Sequence, residues 1–413
     1  MSEGKKVPKI RFPGFVDDWQ EYNMGELYTE RKEPGNDSLP ILSVSIHTGI
    51  SDGELDEEGL GKTVRRSEDK STYKHVYAGD LVFNMMRAWQ GAIGSAPSEG
   101  MISPAYISAE PNEKVYPPFM DYYVKRKEMI EQINSLSYGV TDFRKRLYWD
   151  SFVQVKCKLP TIAEQKQIAD TLAEYDTIIA KQENELNRLK NLKKGLLQKM
   201  FPKEGESMPE VRFPGFTDPW EQRKLSEIAT MHARIGWQNL RKSEFLDSGD
   251  YYLITGTDFV DGEVDLANCH YITKDRYDQD PNIQIENGSI LITKDGTLGK
   301  VAYVKGLEKP ATLNAGVFNV LIRDEKRVYG KYLFQYLKAP FLLNYVAQKA
   351  TGGTIKHLNQ EILVDFPVVL PDYDEQVLLG DAFDDLDNLI TLHQCEYDKW
   401  IEMKKGLLQQ MFV

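Results

Sequence analysis

The chain contains the same plan twice. Val7–Trp19 reads VPKIRFPGFVDDW, and Met208–Trp220 reads MPEVRFPGFTDPW, an offset of 201. Lys193–Phe201 reads KKGLLQKMF, and Lys404–Phe412 reads KKGLLQQMF, an offset of 211. Each unit therefore opens on an RFPGF…W segment and closes on KKGLLQxMF. Two matched ends in the same order require two copies of one scaffold, and an internal repeat outranks any local propensity in deciding a fold. At 413 residues, the chain is these two units with almost nothing left over.

The match continues upstream of each closing segment. Leu159-Pro160 pairs with Leu370-Pro371, and Glu164-Gln165 with Glu375-Gln376. Asp170 and Asp176 pair with Asp381 and Asp387. After each Leu-Pro the pattern is helical. Ile168, Leu172, Tyr175, Ile179, Gln182, Leu186, Leu189, Lys193, Leu196 and Met200 step by four and three. In the second unit Leu379, Phe383, Leu386, Ile390, His393, Tyr397, Trp400, Lys404, Leu407 and Met411 do the same. This is the seam of a heptad repeat. A run of about 35 residues is about 53 Å long at 1.5 Å per residue. The polar entries Gln182, Lys193, His393 and Lys404 cost stability on such a seam and can fix register.

Between the openings and the helices the texture is that of strands and long loops, punctuated by Pro, Gly, Asn and Asp. Tyr77–Asn84 (YAGDLVFN) and Ile285–Thr293 (IENGSILIT) each read as a turn followed by a short strand. Apart from such landmarks the two regions differ, so the scaffold is repeated and the globular cargo is not. The boundaries are 1–158 and 209–369 for the two β-rich domains, 159–201 and 370–413 for the helices, and 202–208 for the linker.

Net charge is −12, which argues against nucleic acid until its distribution is considered. Glu361–Glu402 holds twelve Asp/Glu against the single base Lys399, so the remainder is close to neutral. Those acids read mostly as the outer face of a helix. Lys125–Lys158 carries eight Lys/Arg against four acids, and Arg323–His357 seven against two. Local patches, not totals, decide phosphate binding. Chemistry is harder to find. There is no GxGxxG loop, no Asn/Asp-Pro-Pro-aromatic tetrad, no GxSxG accompanied by a plausible triad and no HxxxH. Gly296–Lys300 is too short for a phosphate loop and reads as a turn. The adjacent Cys269-His270 suits a strand turn better than a zinc tetrad. Three cysteines without a CxxC pair and a start without an apolar stretch point to a reduced, cytosolic compartment, and no apolar run approaches a membrane span.

The doubled RFPGF…W and KKGLLQxMF segments, the GDLVF and GSILIT strands, Gly352–Leu358 (GGTIKHL) and the paired Leu-Pro…Glu-Gln helix starts together resemble the specificity subunit of type I restriction-modification enzymes. The likeness covers essentially the whole chain. It is looser where Val140–Leu147 (VTDFRKRL) stands in place of GGTIKHL. The resemblance implies an α+β fold: two β-rich target-recognition domains joined by two long antiparallel coiled-coil helices, with a pseudo-two-fold internal repeat. It implies no catalysis by this chain. Its implied partners are double-stranded DNA read as a bipartite asymmetric site, two adenine methyltransferase subunits, and restriction/translocase subunits, with no membrane. S-adenosylmethionine, ATP and Mg would be bound in those partner subunits and no cofactor by this chain. Arg, Lys, Asn and Gln can read base edges or grip phosphate. The candidates in the first domain are Lys62, Arg65, Arg66, Arg87, Gln90, Arg144, Lys145 and Arg146. In the second they are Arg234, Gln238, Asn239, Arg241, Lys294, Thr354, Lys356, His357 and Asn359. No catalytic or metal-ligating residue is expected. Two other readings remain open from the residues alone: a non-catalytic coiled-coil scaffold with two ligand-binding β domains, and a standalone DNA-binding repressor.

Overall fold

A computed structural model describes residues 7–55, 72–140, 144–203, 205–238, 240–295, 298–349, 358 and 360–413. The chain divides into two compact units. One runs to Glu183 and adds Glu396–Val413; the other is Asn184–Cys395. Two helices, Ile162–Met200 and Tyr373–Gln410, contribute to both. At 39 and 38 residues they are about 58 and 57 Å long. Every position of the two heptad seams is buried or half-buried, so the sequence period locates the covered stripe of each helix. In both units the end of one helix packs with the beginning of the other, which makes the pair antiparallel.

In the first unit, Arg11 from the RFPGF segment makes a two-pronged contact. Its Nε and Nη2 donate to the two carboxylate oxygens of Glu164, each at 2.8 Å. Glu164 has none of its side chain exposed, and a planar guanidinium is the group that fits a buried carboxylate at two points. The next residue, Gln165, fixes the start of the first long helix. Its amide donates to the carbonyls of Pro160 and Lys114, and its carbonyl accepts from the Tyr116 N–H. Strand Gln20–Asn23 pairs antiparallel with Lys156–Leu159 and ties the two ends of the domain together. Trp19 meets Phe412 edge-on, with ring centroids 6.3 Å apart. The KKGLLQ end of the second helix thus finishes the core of the first unit, and the Ile10 N–H donates to the Gln410 carbonyl.

The second unit repeats each contact. Arg212 grips Glu375 at 2.8 Å twice. Gln376 takes the Tyr329 N–H and donates to the carbonyls of Arg327 and Pro371. Strand Glu221–Lys224 pairs with Pro367–Leu370, Trp220 meets Phe201 edge-on at 6.0 Å, and the Val211 N–H donates to the Lys199 carbonyl.

The likeness goes deeper than the sequence suggested. The first domain holds a four-stranded antiparallel sheet in the order Tyr28–Arg31, Tyr106–Pro111, Leu81–Asn84, Ile93–Ser95. The second has the same four strands in the same order: Ala229–His232, Val317–Ile322, Ile290–Thr293, Val301–Tyr303. The strands Leu81–Asn84 and Ile290–Thr293 are buried at every position, and each follows a turn whose glycine has positive φ, Gly79 at 93° and Gly288 at 96°. The domains diverge outside this sheet. The first adds the small antiparallel pairs Leu42–Ser45 with Gly49–Glu54 and Lys74–Val76 with Gly100–Ile102. The second extends its sheet with Glu263–Val264 and Phe259–Val260. It also builds a separate four-stranded sheet, ordered His270–Ile272, Tyr251–Ile254, Ala311–Leu313, Gln284–Ile285.

The polar seam residues have partners. Lys404 pairs with Asp176, which also accepts from the Tyr122 hydroxyl at 2.6 Å. Lys193 pairs with Asp387, which also accepts from the Gln335 amide and from Lys338 at 3.2 Å. The expectation of a solvated acidic face holds for most of the second helix but needs correcting at four positions. Glu375 and Asp384 are buried. Asp384 holds Lys305 and Lys331, Lys331 also reaches Asp381, and Asp387 holds Lys193 and Lys338. These acids anchor the second domain to its helix.

Candidate nucleic-acid interface

In the first domain the strand Leu81–Asn84 runs into a tight turn that displays Arg87 and Gln90. The Asn84 carbonyl accepts from the Arg87 N–H, and its side chain accepts from the Met86 N–H. Trp89 closes the turn by donating its indole N–H to the Met86 carbonyl at 2.9 Å. The basic segment 144–147 lies against this turn, since the Leu147 N–H donates to the Met85 carbonyl. Lys145 reaches back to Asn134 at 2.6 Å and sits 5.9 Å from the Trp89 ring centroid. Arg146 and Tyr138 exchange two backbone hydrogen bonds, and Tyr138 packs its ring on Tyr148 at 4.9 Å. Arg87, Gln90, Arg144, Lys145 and Arg146 are therefore gathered around one turn. Arg87 donates to Gln90 at 3.3 Å, and among the described residues none of the four cations has an ion-pair partner. Lys62, Arg65 and Arg66 lie outside the described residues.

In the second domain an open cavity of 510 Å³ lies between residues 233–236, Lys294 with Asp295, Phe318 and Gln360. Lys294 is pinned through its backbone: its N–H donates to the Gly316 carbonyl, and its carbonyl accepts from the Leu358 N–H. Its ammonium stands 5.5 Å from the centroid of Phe318. Arg234 lines the same cavity but is not the surface group the sequence suggested, being 2% exposed. Its guanidinium donates to the carbonyl of Leu313 at 3.0 Å, to Gln279 at 3.3 Å and to the Thr312 hydroxyl at 3.4 Å. Burial, with Arg276 nearby, pushes its pKa down. Gln238 is likewise a correction: it is 4% exposed, and its side-chain carbonyl has no hydrogen-bond partner among the described residues. Arg241 is exposed at the start of the short turn Lys242–Glu244, where its N–H donates to Glu244. Asn239, Thr354, Lys356, His357 and Asn359 lie outside the described residues. The sequence reading missed Phe318 and Gln360, an aromatic within a strand and a lone amide, because nothing in the local pattern connects either to Arg234.

Among the described residues no group of three or more His, Cys, Asp or Glu is placed to hold a metal ion. No described helix is long and apolar enough to cross a membrane.

Residues 217–402 match the family model described as the type I restriction modification DNA specificity domain. That stretch is similar to this family. The similarity to specificity subunits extends beyond it. The type I restriction enzyme MjaVIII specificity subunit of Methanocaldococcus jannaschii is 23% identical over 418 residues, covering 98% of this chain and 93% of the relative. The solved S subunit of a type I restriction-modification system from M. genitalium superposes with a TM-score of 0.64 at 14% identity, over 98% of this chain and 99% of that one. A chain solved in work on complex assembly and conformational transition of the type I R-M system gives a TM-score of 0.51 at 16% identity, over 98% and 99%. At these identities the solved chains speak for the fold alone. The resemblance to specificity subunits and the α+β architecture read from the sequence are both borne out.

Proposed function

We propose that this chain is the DNA-recognition subunit of a type I restriction-modification complex and has no catalytic activity of its own. Each β domain reads one half of a bipartite, asymmetric site on double-stranded DNA. The helix pair fixes their separation and docks two adenine methyltransferase subunits and the restriction/translocase subunits. S-adenosylmethionine, ATP and Mg act in those partners, in the cytoplasm where the DNA is. The observation that carries this reading is one scaffold built twice with unlike surfaces. Arg11–Glu164 and Arg212–Glu375 are the same contact, and Met85 and Lys294 each accept from a leucine N–H after the same strand, but the side chains set there differ: Arg87 and residues 144–146 in the first domain, Arg234, Lys294 and Phe318 in the second. Base contacts are local to a groove, so two unlike surfaces on one repeated frame suit two unlike half-sites.

The test is a domain exchange. Residues 21–158 are replaced by the equivalent domain of a relative, and methylated sites are mapped in cells that carry the complex. One half of the target should change and the other stay. If both halves changed together, or neither did, the modular reading would be wrong. The purified chain alone should transfer no methyl group, cut no DNA and hydrolyse no ATP.

A further inference from the structure

Arg234 stands apart from the other well-buried arginines. Arg11, Arg31, Arg126 and Arg212 are each at most 14% exposed, and each has a carboxylate within 3.3 Å. Arg234, more deeply buried than any of these, contacts only a carbonyl, a hydroxyl and an amide oxygen. Even the amide is shared, because Gln279 also accepts from Arg276 at 2.9 Å. Glu244, a nearby acid, is taken by Arg276 at 2.8 Å, and Asp280 caps its own turn by accepting from the Asn282 N–H. A guanidinium has five N–H donors, and the three contacts above leave part of that fork undirected.

The second cation of the cavity, Lys294, is in the same condition. Among the described residues it has no carboxylate partner, and its ammonium rests against the Phe318 ring. Taking a charge out of water without a counter-charge is costly. Two such charges on the wall of one open cavity of 510 Å³ are stabilised by an anion entering it. Asp295, the one acid among the residues that line it, is exposed.

We propose that the cavity bounded by Arg234, Lys294, Phe318 and Gln360 is an anion seat, filled in the working protein by a phosphate of the DNA backbone. The second half of this statement rests on the DNA-recognition reading above. The seat then positions the second domain on the duplex and carries no sequence preference, because every nucleotide offers the same phosphate. Charge-assisted hydrogen bonds from a guanidinium and an ammonium are the usual means of holding that group.

The experiment uses the full chain, as wild type, Lys294→Met and Arg234→Gln. Thermal unfolding is followed in rising inorganic phosphate against chloride of matched ionic strength. Wild type should be protected by phosphate, and both variants should lose most of that protection. Lys294→Met is the deciding variant should Arg234→Gln fail to fold, since the lysine is only half-buried. The second arm is binding to mixed-sequence duplex DNA at several salt concentrations. Loss of one phosphate contact lowers the slope of log affinity against log salt by about 0.9. Between 50 and 200 mM salt, wild type should therefore lose about 3.5-fold more affinity than Lys294→Met, equally on every sequence tried. Unaltered phosphate protection in Lys294→Met overturns the seat. Protection lost with the salt slope unchanged means that the seat takes free phosphate and overturns the DNA half of the proposal. Absence of any DNA binding, with phosphate protection intact in wild type and lost in Lys294→Met, upholds the anion seat and counts against the DNA reading alone.

Discussion

Two arginines, one closing the opening strand of the first domain and one two residues past that of the second, meet opposite surroundings. Arg31 closes the strand Tyr28–Arg31. It donates to Asp80 at 2.7 Å, lies near Glu33 and Glu110, and stacks over Tyr77 at 4.4 Å. Asp80 is itself buried, accepting from the Tyr77 N–H of the turn before its strand and from the Ser108 hydroxyl of the neighbouring strand. In the second domain the residue at that point of the turn is Ser289, which accepts from the Glu286 N–H in the same way but brings no charge. Arg234, two residues past the strand Ala229–His232, is left with neutral acceptors. The comparison teaches that the repeated frame fixes backbone and turn hydrogen bonding, while the residues set on that frame decide whether a buried arginine meets a carboxylate. The first domain offers its charge outward, on exposed Arg87, Arg144 and Arg146. The second holds part of its charge in a recess.

The frame itself should respond identically in the two units. Arg11→Met and Arg212→Met each strand a buried glutamate, so each should lower stability by about 3–5 kcal/mol, read from urea unfolding. Clearly unequal losses would break the equivalence of the two scaffolds. Asp80→Ser gives the first domain the turn residue of the second. It leaves Arg31 with two largely exposed acids, Glu33 and Glu110, and should cost about 2–3 kcal/mol. A near-neutral result would mean that the first domain does not depend on its internal neutralisation.

A smaller effect separates the units by pH. Burial first, then Lys338, lowers the Lys193 pKa to about 8, against the opposing pull of Asp387. The unfolded chain holds that proton up to its ordinary value of 10.5. Between those limits the unfolded state binds more protons, so this group makes stability rise with pH from about 8 and level off above 10.5. The contribution is on the order of 3 kcal/mol at most, and Lys193→Met should flatten it in denaturation profiles taken across that window. The smallest effect concerns the turns. Gly79→Ala and Gly288→Ala force a side chain to positive φ and should each cost about 1–2 kcal/mol. A cost confined to one domain would show that the two turns are alike in shape but not in strain.

The frame was legible because its contacts sit on repeated letters. The RFPGF arginines, the Glu-Gln helix starts and the terminal Phe of KKGLLQxMF are all partners in the structure, and every heptad position is covered. The partners of Lys193 and Lys404 were harder to find. Asp387 and Asp176 stood among the repeated residues, but a pairing between two helices leaves no trace in the period of either. The shared four-stranded sheet was hidden for a similar reason. Its register joins segments such as Tyr28–Arg31 and Tyr106–Pro111, far apart in the chain, and the two domains fill it with different apolar residues. Arg234 was misplaced because a charged residue in a polar, glycine-containing stretch reads as surface. Its burial comes from the Thr312–Leu313 strand, which only the three-dimensional fold brings near.

Phe412 has a consequence for how the protein is made. It follows the whole second domain in the sequence, yet it completes the core around Trp19, Phe119 and Tyr123. On a ribosome adding about 5–20 residues per second, roughly 10–40 s separate synthesis of the first long helix from synthesis of that phenylalanine. Through that interval the domain translated first holds an unfilled apolar socket, and the second unit, whose own plug Phe201 is already made, can close before it. The first domain to be synthesised is thus the last to be finished. A pause or a premature stop late in translation would expose the N-terminal half of the protein.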